Sequence, residues 1–282
     1  MIKSFFFVPG NNQKFINKVS NLKSDYFIFD LEDSVTPKEL EQSIMNLIKI
    51  ELKDNYYVRF SFFNQENNQL NEKLITKLIS IGFKNFVIPK FSGINQVIQI
   101  RSYFDKRKYN IKDLFKFVLV VEHPSGLLNL NETISKKLIN IISIGLGNYD
   151  YCSVMGMKHT LDNLYYARQV IVNTAKAYGL EAIDIVNIEF NNKKLFCEEV
   201  LNGFSMGFDG KFLIHPSQLD LLKSIKYYSA EEVAEAKILY PQIKKIMNDE
   251  LSIVKHKGKI FEKPHINRIL NIINWNTKYG NK

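Results

Sequence analysis

Residues 26–35 read "YFIFDLEDSV". The stretch opens on an unbroken apolar and aromatic run instead of the alternation of a half-exposed strand, as expected of a strand covered on both faces in a parallel sheet. It closes on three carboxylates, Asp30, Glu32 and Asp33, in a chain whose formal net charge is +9. Working outward, seven further runs share this character: "SFFFVPG" from Ser4, "YYVRFS" from Tyr56, "NFVIPK" from Asn85, "FKFVLVVE" from Phe115, "INIISIGLG" from Ile139, "AIDIVNI" from Ala182 and "GKFLIHP" from Gly210. Segments with helical spacing lie between them, among them 12–22, 70–82, 94–104 and 163–180. Successive runs mostly start about 25 to 30 residues apart, the length of one βα unit, and eight such units close a (β/α)8 barrel. The spacing therefore predicts an α/β fold, a (β/α)8 TIM barrel over 1–225. A C-terminal helical extension over 226–282 follows, opened by Ser229 as N-cap with Glu232 three residues on. That extension is expected to be too small for a core of its own and to pack on the barrel mouth or on a neighbouring subunit.

Composition narrows the function classes. With 282 residues and 45% hydrophobic content the chain can bury a large core. No apolar run reaches the roughly 20 residues of a membrane span, and the N-terminal stretch lacks the pattern of a signal peptide, so cytoplasmic residence is expected. Cys152 and Cys197 are too few and too far apart for a disulfide framework or a zinc site. The basic excess is scattered and not interleaved with stacking aromatics, which favours an anionic small molecule over nucleic acid. Neither GxxxxGK[ST] nor GxGxxG is present, so nothing points to ATP or NAD.

In such barrels the chemistry sits where strands run into the following loops. The polar residues closing the runs are Asp30, Glu32 and Asp33, Arg59, Lys90, Glu122, the stretch Gly145 to Asp150, Asp184 to Asn187, and His215. Acidic and basic groups on one rim suit a hard divalent cation with an anionic organic substrate, because Mg²⁺ takes a couple of carboxylates and leaves its other positions to water and substrate oxygens. Glu122 emerges from a dry strand and is either a ligand or a loop cap. Asp150 follows two glycines and is either a ligand or a turn former. Gly147 and Asn148, in the same loop, are candidates for contacting substrate. Arg59, inside an apolar strand, either pairs with Asp30 or Glu32 or grips a substrate carboxylate. Lys90 carries the same two readings, with a Schiff-base role as a third. His215 reads as a loop-fixing histidine, and His123 sits beside Glu122.

Several of these motifs, taken in order, resemble the HpcH/HpaI aldolase and citrate lyase β-subunit (CitE-like) family: "KSFFFVPGNN", "FIFDLEDSV", "VRF", "FVIPK", "VEHPSG", "GLGNYDY", "ARQVIVNTAKAYGLEAIDIV" and "GFDGKFLIHPSQ". The resemblance implies a (β/α)8 barrel assembled as a homo-oligomer, a trimer or hexamer. It implies an enzyme that uses Mg²⁺ to cleave or form a carbon–carbon bond next to a 2-oxo acid. Substrates would be malyl-, citramalyl- or citryl-thioesters on coenzyme A or an acyl carrier protein. By motif, Glu122 and Asp150 match the metal ligands and Arg59 the arginine that holds the substrate carboxylate. Glu32 and Asp33 match carboxylates that hold the metal's waters. Lys3 stands where the family commonly has Arg, and with Arg59 it is expected to supply positive charge to the departing enolate.

The chain also departs from the family pattern. Leu40 and Ile44 replace basic residues, His123 replaces the Thr of "ETP", Val154 replaces an Asp, and Glu189 and Asn192 soften acidic positions. Two further readings stand beside the lyase, the second of them motivated by these changes. One is a related barrel with phosphoenolpyruvate-like or condensing chemistry. The other is an altered barrel that acts on a substrate not carried on coenzyme A, or that binds metal and oxo acid as a partner subunit.

Overall fold

The computed structural model describes residues 2–64, 67–248 and 250–279. The eight apolar runs are parallel strands: β1 (Lys3–Pro9), β2 (Tyr26–Asp30), β3 (Tyr56–Arg59), β4 (Asn85–Ile88), β5 (Lys116–Val121), β6 (Ile141–Leu146), β7 (Glu181–Asp184) and β8 (Gly210–Leu213). They pair in chain order, and β8 closes on β1 with Gly210 opposite Lys3. Around them run α1 (Gln13–Lys18), α2 (Leu40–Ile48), α3 (Glu72–Ile81), α4 (Ile94–Lys106), α5 (Ile111–Leu114), α6 (Pro124–Ser135), α7 (Asn148–Met155), α8 (Leu161–Tyr178), α9 (Lys193–Met206) and α10 (Pro216–Ser224). The helix boundaries follow local chemistry. In α8, for example, the Thr160 side chain accepts the Asn163 N–H at the start, and Gly179 takes a left-handed φ of 68° at the end.

Inside the barrel, side chains from successive strands stack into a filled lumen of Phe5, Ile28, Tyr57, Val87, Val118, Val120, Ile183 and Phe212. Register decides what sits above this plug. Ile28 lies opposite Tyr57 and, two residues on, Asp30 lies opposite Arg59, so the next inward-facing pair up the β2–β3 seam is a carboxylate and a guanidinium. Asp184 is two-sided in the other sense. It alternates with the inward Ile183 and points to the helices, where Arg168 of α8 grips it through Nε at 2.9 Å and Nη2 at 2.7 Å. It therefore does not join the polar rim.

Residues from Ile225 onward form a second compact unit. Its first helix, α11 (Ala230–Met247), carries the capping box expected at Ser229 and Glu232. Two strands, β9 (Val254–His256) and β10 (Lys259–Phe261), pair antiparallel, and α12 (Lys263–Tyr279) follows. The extension is thus not wholly helical. Lys257 and Gly258 both have positive φ, 47° and 74°, which is the backbone a two-residue hairpin turn needs. Nor does the unit lack a core: Ala236, Leu239, Ile243, Ile246, Val254, Ile269 and Ile272 are buried together. No described helix is long and apolar enough to cross a membrane.

Candidate active site

At the C-terminal ends of the strands, "DLEDS" wraps into a loop built on Asp30. The Asp30 carboxylate accepts the backbone N–H of Glu32 and of Ser34, each at 3.1 Å. On its other side Arg59 binds both oxygens, Nε to Oδ1 at 2.8 Å and Nη2 to Oδ2 at 2.9 Å. The third guanidinium nitrogen, Nη1, lies 2.9 Å from Asp33 and 3.6 Å from Glu32, while the Phe7 ring packs against the guanidinium carbon at 4.7 Å. Of the two readings for Arg59, the structure shows the ion pair made.

The electrostatics follow from burial. Burial alone would push Asp30 up, but Arg59, with Ser34 and the Glu32 backbone, outweighs it and holds the carboxyl below the usual aspartate range. Glu32 is pushed up by burial, opposed by Arg59, reinforced by Asp33, and opposed again by Lys90 3.0 Å away. Lys90 is itself raised, since its attraction to Glu32 exceeds the burial that would lower it.

Glu122 follows β5, is 3% exposed, and its Oε2 has no hydrogen-bond partner. Burial first, then the charge of Glu32, raise its carboxyl to about 8, against the partial relief given by Arg59. It does not cap the next helix. That task falls to His123, whose Nδ1 accepts the Ser125 N–H at 3.1 Å. Gly147 explains how Glu122 is accommodated: a Cβ there would stand 2.4 Å from Glu122 Cγ. Gly147→Ala is therefore expected to displace the Glu122 carboxylate. We expect turnover to fall by about a hundredfold, as misplacing a reacting group by an ångström does, with little loss of thermal stability; unchanged kinetics would show that the carboxylate need not lie where Gly147 lets it.

Asp150 sits exposed in the first turn of α7, and Glu122 and Asp150 together line two cavities. The first, of about 280 Å³, is bounded by Asp30, Asp33, Arg59, Gly147, Asn148 and Tyr149, with apolar walls from Phe7, Val120, Val186, Ile188, Phe212 and Ile214. The second, of about 520 Å³, holds Glu32, Lys90, His123, Val154 and the hydroxyls of Ser61, Ser92, Ser125 and Ser153. Among the described residues no group of three or more His, Cys, Asp or Glu is placed to ligate one metal ion.

Asn148 contributes differently from the substrate contact expected of it. Its carboxamide donates to Val186 O at 3.0 Å, accepts from Val186 N at 3.0 Å, and meets His159 Nε2 at 2.6 Å. It clamps the β6 loop to the β7 loop, and His159 extends the clamp by stacking on Tyr149 with centroids 4.4 Å apart. No described side chain caps the N-terminus of α7 after Gly147, and that segment lines the first cavity.

Lys3 must be corrected. It is the first residue of β1 and its ammonium pairs with Glu181, the first residue of β7, with the Tyr26 ring 5.9 Å away. Six residues of strand, about 20 Å at the usual rise, separate it from the rim at Pro9. Lys3 belongs to the opposite end of the barrel and lines neither cavity. His215 does fix its own loop: its Nδ1 lies 2.7 Å from Ser217 Oγ, and Phe190 stacks on its ring. The apolar walls were not singled out from sequence, where only polar strand ends were read. The signal was present in the inward alternation that carries Phe5 to Phe7 and Val118 to Val120.

Comparison with known proteins agrees with this geometry. Citramalyl-CoA lyase of Mus musculus, a mitochondrial protein, is 26% identical over 304 aligned positions, covering 99% of this chain and 87% of its own length. Citrate lyase subunit beta of Haemophilus influenzae is 27% identical over 279, covering 94% of each. Among solved structures, the protein CitE from Mycobacterium tuberculosis, in complex with magnesium, acetoacetate and coenzyme A, superposes with a TM-score of 0.80 at 19% identity, covering 97% of both chains. The family model for HpcH/HpaI aldolase/citrate lyase matches residues 3–216, which take in all eight barrel strands, and the chain belongs to that family.

Proposed function

We propose that this chain is a Mg²⁺-dependent carbon–carbon lyase. It cleaves, or forms, a 2-hydroxy acid thioester such as citramalyl-, malyl- or citryl-CoA, or its acyl carrier protein equivalent, giving a 2-oxo acid and an acetyl-type product. One observation carries the reading: Glu122 is a buried carboxylate with an orphaned oxygen, raised to about 8, sharing two cavities with Asp150. In its ionised form such a group is unfavourable there unless a cation completes it. Two protein carboxylates, with the remaining positions left to water and substrate, are what Mg²⁺ asks of a site.

Glu122 and Asp150 would hold the ion, and Glu32 and Asp33 beside them would orient its waters. Bound there, Mg²⁺ supplies Lewis-acid polarisation of the substrate's C2 oxygen. The protein's own part is mostly positioning. The backbone N–H groups at the start of α7, together with the Arg59 guanidinium, receive the C1 carboxylate. In the cleavage direction the 2-hydroxyl gives up its proton, the C2–C3 bond breaks, and its electron pair leaves with the thioester half as an enolate that is then protonated. Lys90, with its ammonium on the second cavity, takes over the stabilising role first expected of Lys3. The two cavities meeting at Glu122 and Asp150 thus match the two halves of a substrate cut between them.

Both relatives named above favour lysis over the partner-subunit reading, since their names describe lyases. A cytoplasmic trimer or hexamer belongs to the same proposal, with 1–225 as the catalytic barrel and 226–282 as an extension that packs on a neighbouring subunit; family resemblance supports that part. Incubation with citramalyl-, malyl- and citryl-CoA and Mg²⁺ should release the 2-oxo acid and stop in excess EDTA. Undiminished turnover in EDTA would refute the role of the metal.

A further inference from the structure

We infer that the first cavity selects a 2-oxo acid half bearing hydrogen or a small alkyl group beyond its carbonyl, and rejects one with a second carboxylate. The inference rests on the lyase reading and concerns which of its substrates this chain takes. Among the described lining residues Arg59 is the one cation, against Asp30, Asp33, Glu122 and Asp150. Its charge is already engaged, since Asp30 holds it at two points, Asp33 at a third, and Glu32 stands 3.6 Å away. Counting both cavities, five carboxylates (Asp30, Glu32, Asp33, Glu122 and Asp150) face two cations (Arg59 and Lys90), a formal −3 that a divalent ion brings only to −1. What remains of the Arg59 donors, together with the α7 N-terminus, serves the single C1 carboxylate. The Asn148 carboxamide is committed to Val186 and His159 and cannot serve a second.

Of the remaining lining, the Ser34 hydroxyl donates to Asp30 O and the Tyr149 hydroxyl oxygen accepts the Ile188 N–H, while Phe7, Val120, Val186, Ile188, Phe212 and Ile214 are apolar. A methyl group gains by leaving water against them, whereas a carboxylate there loses hydration without a partner. Volume is not the filter, because about 280 Å³ is ample for a four-carbon acid. Charge is.

Calorimetric titration of the full-length protein in saturating Mg²⁺ with pyruvate, 2-oxobutyrate and freshly dissolved oxaloacetate separates size from charge. Oxaloacetate is expected to bind at least about tenfold more weakly than pyruvate, the scale of one uncompensated polar group, with 2-oxobutyrate close to pyruvate. Ile188→Arg, at a side chain 52% exposed and so tolerant of charge, should close most of that gap by supplying the missing cation. Oxaloacetate binding as tightly as pyruvate, 2-oxobutyrate rejected as strongly as oxaloacetate, or a gap unmoved by Ile188→Arg would each overturn the assignment while leaving the lyase reading standing. Failure of all three acids to bind in the presence of Mg²⁺ would overturn both.

Discussion

Glu122→Gln is expected to lower Mg²⁺-dependent turnover by more than about a thousandfold, because the proposed site loses a ligand of the cation that would lower the barrier by several kcal/mol. The same variant should make the metal-free protein more stable at alkaline pH. Glu122 has an ordinary value near 4.5 and a folded value of about 8. Below the first, the carboxyl is protonated in folded and unfolded chains alike, and Gln is equivalent to it. Between the two, folding requires a proton the unfolded chain has released, so wild-type stability falls as pH rises. Above about 8 the penalty is complete, and at about 1.4 kcal/mol per pH unit it is on the order of 5 kcal/mol. Urea unfolding in EDTA at pH 5 and pH 9 reads this directly. The variant should gain little at pH 5 and most at pH 9; a variant less stable than wild type at pH 9 would show that Glu122 is not a strained, cation-demanding carboxylate. Activity and stability moving in opposite directions is the signature of a residue kept for its chemistry.

The second large effect is expected at Arg59. Arg59→Met leaves Asp30 buried without its partner, beside Glu32 and Asp33, and should cost about 3 to 5 kcal/mol, the scale of breaking a buried pair from one side. Since Arg59 holds Asp30 below its ordinary value, the pair's stabilisation is present above that value and disappears as pH falls through the depressed one. The penalty of Arg59→Met should accordingly be largest near neutrality and shrink in acid. Adding Asp30→Asn removes the orphaned charge and should recover much of the loss in stability without recovering turnover. If Arg59→Met unfolds at the same urea concentration as wild type at pH 7, the guanidinium is not what holds the "DLEDS" loop.

The departures from the family pattern are uneven in their consequences. His123 caps the N-terminus of α6. Ile44 is buried at 1% exposure on the inner side of α2, where a basic residue would have no solvent. Val154 is half exposed on the wall of the second cavity and removes an acid from it. The departures thus spare Glu122 and Asp150 and fall on the residues around them.

Much of this protein is determined by its sequence alone. Strands buried on both faces must be continuously apolar, so eight such runs at βα spacing describe a closed parallel barrel, and the same rule places Glu122, Asp150 and Arg59 on one rim. The hairpin turning at Lys257 and Gly258 departs from the helical extension expected there. Only the tertiary structure decided the rest. Whether Arg59 meets Asp30 or a substrate depends on β2–β3 register, and whether Asn148 faces a ligand or clamps Val186 depends on how two loops distant in sequence come together. Lys3 looks like an active-site cation in a motif, but a strand has two ends, and 20 Å of β1 (about six residues at 3.3 Å each) put it at the wrong one. Periodicity reports which face a residue occupies; only packing across strands fixes what that face meets.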